Sequence, residues 1–153
     1  MADAQGCYTC RVNADLTSLP PRDLIGSDDW WRAGHAFGTS LRGWLVLVPR
    51  RHVTRIAELT DTEAARLGVW QVRLSRALEA VTGCTKTYIA QFAEAAGHSH
   101  VHLHIVPRQA SLAEDLRGPA IFSLLGKTGD EALSAADMDA VARKLRDYLA
   151  PTA

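Results

Sequence analysis

The chain has 153 residues, of which 47% are hydrophobic and 22% are charged, a balance typical of one folded domain with a buried core. Its 17 basic side chains equal its 17 acidic ones, which argues against the broad basic surface that holds a nucleic acid polymer, although a small nucleotide is allowed. No apolar run approaches the roughly 20 residues of a bilayer-spanning helix, and the first residues lack a signal-peptide pattern. We therefore expect a cytoplasmic protein without a membrane partner.

The first half of the chain predicts two strands followed by a long helix. The apolar run 44–48 lies between Gly43 and Pro49 and predicts a buried strand, with a neighbouring strand within residues 29–37. Thr60 and Glu63 have the spacing of a capping box, which predicts a helix that ends at Gly83. Apolar residues recur along that helix at Leu67, Trp70, Leu74, Leu78 and Val81.

The second half predicts two more strands and a last helix. Residues 87–92 favour a strand, and apolar residues alternate with histidines from 100 to 106 as in a second strand, which we expect Pro107 to end. Ser134 and Asp137 are spaced to cap a helix whose apolar face carries Met138, Val141, Leu145 and Leu149. This order predicts an α+β domain, an antiparallel sheet with helices on one side.

Three of the six histidines, at 100, 102 and 104, lie two residues apart. In an extended chain they share one face at spacings of about 6.5 Å. Together with His98 they put four histidines in seven positions, which is unusual for a purely structural strand. Such a row suits either a catalytic metal, or a histidine nucleophile whose neighbours bind phosphate oxygens. Spacing alone leaves both chemistries open.

Cys7 and Cys10 form a Cys-x-x-Cys pair near the N-terminus. In a reducing compartment this spacing indicates a zinc site, a redox dithiol or two unrelated thiols. A thioredoxin-like dithiol follows a strand, and the sequence predicts none before Cys7, which argues against redox chemistry. A zinc site needs two more ligands. Cys84 has no partner in the sequence, and we assign it no function.

The run His100 to Val106 follows the pattern His, apolar, His, apolar, His, apolar, apolar. It is preceded by Gly97-x-Ser99 and followed by Pro107-Arg108, and residues 43–52 lie upstream. Over roughly residues 7–108 the sequence resembles the histidine-triad (HIT) family of nucleotide hydrolases and transferases. The resemblance implies a HIT-like antiparallel sheet of about five strands with two main helices, in a single domain over 1–153, and a homodimer. The Cys-x-x-Cys segment would precede this sheet and a C-terminal helix would follow it.

The resemblance also implies a mechanism. His102 would attack an α-phosphorus and form a nucleotidyl-histidine intermediate, and water would then release the nucleoside monophosphate. His104 would donate a hydrogen bond to a phosphate oxygen or to the leaving group, and Ser99, Gln91 and His98 are candidate substrate contacts. The expected substrate is a dinucleoside polyphosphate or a nucleoside phosphoramidate. A histidine nucleophile must be neutral, with its second nitrogen donating to a fixed acceptor such as a backbone carbonyl.

Zinc-bearing members of the family bind the metal with residues that correspond here to Cys7, Cys10, His52 and His100. Such a site is closed, so its single zinc would be structural and the chemistry would need no cofactor. Two alternatives stay open at this point. One is a zinc hydrolase that uses His100, His102 and His104 as ligands, and the other is a nucleotide-binding module without catalysis.

Overall fold

Five antiparallel strands form one sheet in the computed structural model, which describes residues 4–151. In sheet order the strands run β1, β2, β3, β5, β4, so β5 lies between β3 and β4. Their bounds are Gly26–Ser27 (β1), Trp31–His35 (β2), Leu45–Pro49 (β3), Lys86–Gln91 (β4) and Leu103–Arg108 (β5). The α+β class and the HIT-like antiparallel sheet are thereby confirmed.

In the described part of the chain, three α-helices accompany the sheet: α1 (Tyr8–Asn13), α2 (Asp61–Thr82) and α3 (Ala135–Leu149). The start of α2 is the predicted capping box, in which Thr60 Oγ1 accepts from the Glu63 N–H and the Glu63 carboxylate accepts from the Thr60 N–H. Gly83 ends α2 at a φ of 71°, in the left-handed region that favours glycine. No helix among residues 4–151 has the length and apolar character needed to cross a membrane.

Helices α2 and α3 cover one face of the sheet, and the main hydrophobic core lies between these helices and the sheet. The side chains that alternate with the histidines, Val101, Leu103 and Ile105, all belong to this core, as the period of two predicts. The predicted apolar faces of both helices contribute as well, with Leu74 of α2 and Leu145 of α3 fully buried. Packing on this face forces the histidines toward the opposite one.

The opposite face is covered only in part, by irregular segments. A 3₁₀ turn over Gly118–Leu124 places Ile121 in a second apolar cluster with Trp44 and Val106. Helix α1 and another 3₁₀ turn, Pro21–Asp23, cover other parts of the same face. An open cavity remains between them, and His102 and His104 are among the residues that line it.

Two local features differ from the sequence prediction. Strand β1 has two residues, too few for any periodic pattern. Strand β5 continues through Pro107, which lies opposite Thr87 of β4, although the register with β3 ends at Ile105. A proline is tolerated where its nitrogen has no ladder partner, so Pro107 did not end the strand.

Candidate active site and metal centre

His102 lies just before β5 and lines a cavity of about 410 Å³. Its Nδ1 is 2.9 Å from the backbone carbonyl oxygen of His100. Because a carbonyl only accepts, Nδ1 carries the proton and Nε2 keeps a lone pair. The backbone two residues upstream thus fixes both the tautomer and the ring orientation, which is the arrangement a nucleophilic histidine requires.

His104 is held in the opposite tautomer. Its Nδ1 accepts a hydrogen bond of 3.0 Å from the indole N–H of Trp44, which can only donate. The neutral ring therefore carries its proton on Nε2. Burial is the main cause that lowers the pKa of His104 to about 4, and the proximity of a second imidazole, that of His102, is the other. The two ring centroids are 5.0 Å apart. A neutral N–H donor thus lies beside the lone pair of His102.

His100 faces away from this pair and joins the two cysteines. Its Nε2 donates to the carbonyl oxygen of Pro49 at 3.0 Å, which leaves Nδ1 as an acceptor 3.5 Å from Cys7 Sγ and 3.6 Å from Cys10 Sγ. The Nδ1 of His52 is 3.1 Å from Cys10 Sγ. These four donor atoms lie within 4.8 Å of one another, so the four predicted ligands form one cluster that can hold a metal ion.

The geometry and chemistry of this cluster fit zinc. With Zn–S and Zn–N bonds of about 2.3 and 2.05 Å, a tetrahedral site places sulfur and nitrogen about 3.6 Å apart, close to the distances around His100. Cys7 is the N-cap of α1 and its Sγ accepts from the Cys10 N–H, so the helix start brings both sulfurs to one side. Burial and the adjacent Cys7 raise the pKa of the Cys10 thiol to about 11, a shift that a bound cation would oppose.

The cavity wall is mostly apolar and aromatic. It includes Tyr8, Phe37, Phe92 and Phe122. His98 also lines the cavity, and its ring centroid is 5.5 Å from that of Tyr8 and 5.9 Å from that of Phe37. This position is compatible with the predicted substrate contact of His98.

Ser99 and Gln91 are less closely associated with the cavity. Ser99 is exposed, Gln91 is half-buried at the end of β4, and neither is among the residues that line the cavity. A contact between either side chain and substrate stays a prediction.

Sequence reasoning missed several residues of the site. Trp44 contacts His104 across a separation of 60 residues, a contact that its position in the predicted strand 44–48 does not reveal. Asp23 and Arg32 line the cavity but are isolated charged residues in the sequence, without a motif. The only local pattern near Asp23 is the pair Pro20-Pro21, which favours a turn but indicates no function.

A five-stranded antiparallel sheet with His100, His102 and His104 at and just before the start of β5 is the arrangement of a histidine-triad domain. The HIT domain model matches residues 20–111, which is more than half of the chain, so the chain belongs to the HIT family. Proteins of this family are generally nucleotide-binding hydrolases and transferases, and some are not catalytic.

Solved structures and a curated relative agree with this assignment. A histidine triad protein from Bradyrhizobium japonicum is 26% identical with a TM-score of 0.67, over 83% of this chain and 89% of that one. A Zn-bound histidine triad family protein from Mycobacterium smegmatis is similar in fold, with a TM-score of 0.69 and 19% identity over 96% and 95% of the two chains. The nitrilase and fragile histidine triad fusion protein of Caenorhabditis elegans is 38% identical over 71 residues, which are 44% of this chain but only 16% of that protein.

Proposed function

We propose that this chain is a nucleotidyl hydrolase or transferase that cleaves a phosphoanhydride or phosphoramidate bond at an α-phosphorus, with His102 as the nucleophile. The observation that carries the proposal is the hydrogen bond from His102 Nδ1 to the His100 carbonyl. It leaves Nε2 as the lone pair available to the cavity. A dinucleoside polyphosphate is the first substrate to test.

The proposed covalent step uses these positions. His102 Nε2 attacks the α-phosphorus, a P–N bond forms, and the bond from phosphorus to the leaving group breaks. The leaving group departs as a phosphate, or as an amine that takes a proton from solvent. Water then attacks the same phosphorus and gives its proton to solvent, the electron pair of the P–N bond returns to Nε2, and the nucleoside monophosphate leaves while His102 becomes neutral again.

His104 and Trp44 assist without forming bonds to phosphorus. The proton on His104 Nε2 donates to a phosphate oxygen or to the leaving group as negative charge develops there. The indole N–H of Trp44 keeps that proton on Nε2, because Nδ1 is occupied as the acceptor. Trp44 is therefore a positioning residue, and Ser99, Gln91 and His98 are further candidate contacts.

We assign a structural zinc to Cys7, Cys10, His52 and His100, one ion per chain. When bound, zinc would tie the N-terminal segment to the sheet and leave no coordination position for water. The direction of His100 Nδ1 toward the two sulfurs favours this site over a three-histidine catalytic zinc. Within residues 4–151, this Cys2His2 group is the one cluster of metal-ligating side chains.

The test replaces the nucleophile in a cavity that stays intact. With a panel of dinucleoside polyphosphates and nucleoside phosphoramidates, His102→Ala should lose turnover by several orders of magnitude while nucleotide affinity survives. Glu94→Gln, which changes an exposed residue of the same cavity that has no proposed role, is the matched control and should retain most of its turnover. Full activity of the His102 variant would refute the mechanism.

Two further measurements separate the alternatives. Single-turnover trapping of a phosphoramidate-linked nucleotidyl protein would exclude a binding module without catalysis. Sedimentation velocity tests the expected homodimer.

A further inference from the structure

The 3₁₀ turn Pro21–Asp23 packs directly on the cavity face of β2. A Cβ added to Gly34 would lie only 3.2 Å from the carbonyl oxygens of both Arg22 and Asp23. Glycine at position 34 therefore permits this close approach. The turn brings Asp23 to the cavity.

The sheet register sets the distance between this turn and the reactive histidines. Gly34 lies opposite Val46, and Val46 lies opposite His104 on its other side. Two strand spacings separate Gly34 from His104, which corresponds to about 10 Å on one face of the sheet. This distance is comparable to the span of one nucleoside monophosphate, so a nucleotide with its phosphate at the histidines is long enough to place its base near Asp23.

The Asp23 carboxylate accepts no hydrogen bond from the described residues. It makes no hydrogen bond or ion pair with any residue of the described range 4–151. The neighbouring Arg22 pairs with Asp139 at 3.0 Å. Burial raises the pKa of the Asp23 carboxyl in spite of two nearby arginines. A partly buried carboxylate without donors is costly, and in a cavity wall it is available to a ligand.

The guanidinium beside Asp23 is already fixed. Arg32 is 4% exposed, and its Nε donates to Asn13 Oδ1 at 2.7 Å. Its Nη1 donates to the backbone carbonyl of Asp23 at 2.6 Å. This end of the cavity thus presents the carboxylate of Asp23 as an acceptor, next to the guanidinium of Arg32, whose position is fixed by hydrogen bonds.

We propose that Asp23 determines base specificity by accepting the N1–H and N2–H donors of guanine, so that the substrates are guanine nucleotides. The inference rests on the proposed function, since it uses the same cavity. Guanine presents two adjacent donors that match the two oxygens of a carboxylate, and its O6 suits the charge of Arg32. Adenine and cytosine place a ring-nitrogen lone pair beside their amino group, and uracil flanks its single N–H with carbonyls. Each of those edges repels one carboxylate oxygen.

Calorimetric binding of GMP, IMP and AMP to the full chain tests the proposal without requiring turnover. The wild type should bind GMP on the order of 10- to 100-fold more tightly than AMP, and more tightly than IMP, which lacks the 2-amino group. Asp23→Asn should lower GMP affinity to the level of IMP and AMP. Glu94→Gln is the matched control, because it removes one negative charge from an exposed residue of the same cavity and should keep the preference.

Other outcomes overturn the proposal. Equal affinity of the wild type for the three nucleotides refutes it, even if the Asp23 variant does not fold. An Asp23→Asn variant that weakens GMP and AMP by the same factor shows a ribose contact or a general charge effect instead. If turnover depends on His102 but shows no preference for guanine, only this inference fails. If no nucleotide binds at all, the proposed function fails with it.

Discussion

Burial of His104 as a neutral ring should make the protein less stable as the pH falls. The folded pKa is about 4, against an ordinary value of 6.5. Below pH 6.5 the His104 side chain takes up a proton in the unfolded chain but not in the folded one. The part of the free energy of unfolding that depends on His104 is therefore complete above pH 6.5 and is lost as the pH falls toward 4. At pH 5 the loss is about 2 kcal/mol, and the limiting value of about 3 kcal/mol follows from the full shift.

Urea unfolding of the wild type and of His104→Gln, at several pH values from 7 to 5, measures this loss. Glutamine does not titrate. Both proteins keep the Cys2His2 cluster of Cys7, Cys10, His52 and His100, so the pH dependence that this cluster contributes is the same in both and cancels in the comparison. The free energy of unfolding of the wild type should fall by about 2 kcal/mol more than that of the variant over this range. Parallel pH dependences would refute the conclusion that His104 is buried uncharged.

Three further perturbations probe the metal cluster, the positioning residue and the long helix. Cys10→Ser should lose the bound zinc, as measured by native mass spectrometry, and should have a lower thermal midpoint. The control Cys84→Ser should retain the zinc. Retention of zinc by both variants would contradict the proposed site. Trp44→Phe should lower kcat more than it raises KM, because His104 Nδ1 loses its hydrogen-bond donor. The same loss should lower the free energy of unfolding in urea by about 1–3 kcal/mol. An unchanged kcat would argue against positioning of His104 by the indole. Thr60→Ala removes the N-cap of α2 and should cost about 1 kcal/mol in the same assay, and an unchanged midpoint would show that the cap is dispensable.

The sequence predicts those parts of the fold that local chemistry determines. The ends of α2 follow from side chains within one turn of them, Thr60 and Glu63 at the start and Gly83 at the end. The buried side of β5 follows from the alternation of Val101, Leu103 and Ile105. Strand β1 was beyond such reasoning, because two residues form it only through their pairing with β2.

The candidate site was predictable to a similar extent. The histidine row and the cysteine pair could be recognised because their members lie close together in the sequence. The protonated nitrogens of His100 and His104 could not be predicted, because they depend on Pro49 and Trp44, which are 51 and 60 residues away. The cavity position of Asp23 depends on the packing of a turn against Gly34, which no local pattern encodes.

Tyr8 and Thr9 lie between the two cysteines and line the cavity, so a single turn of helix contributes to both the Cys2His2 cluster and the cavity. An ion bound by the cysteines would fix this turn, and it would thereby also fix the cavity wall that Tyr8 and Thr9 form. Linkage then requires reciprocity: if an ion at the cysteines tightens nucleotide binding by some factor, the nucleotide tightens the hold on the ion by the same factor.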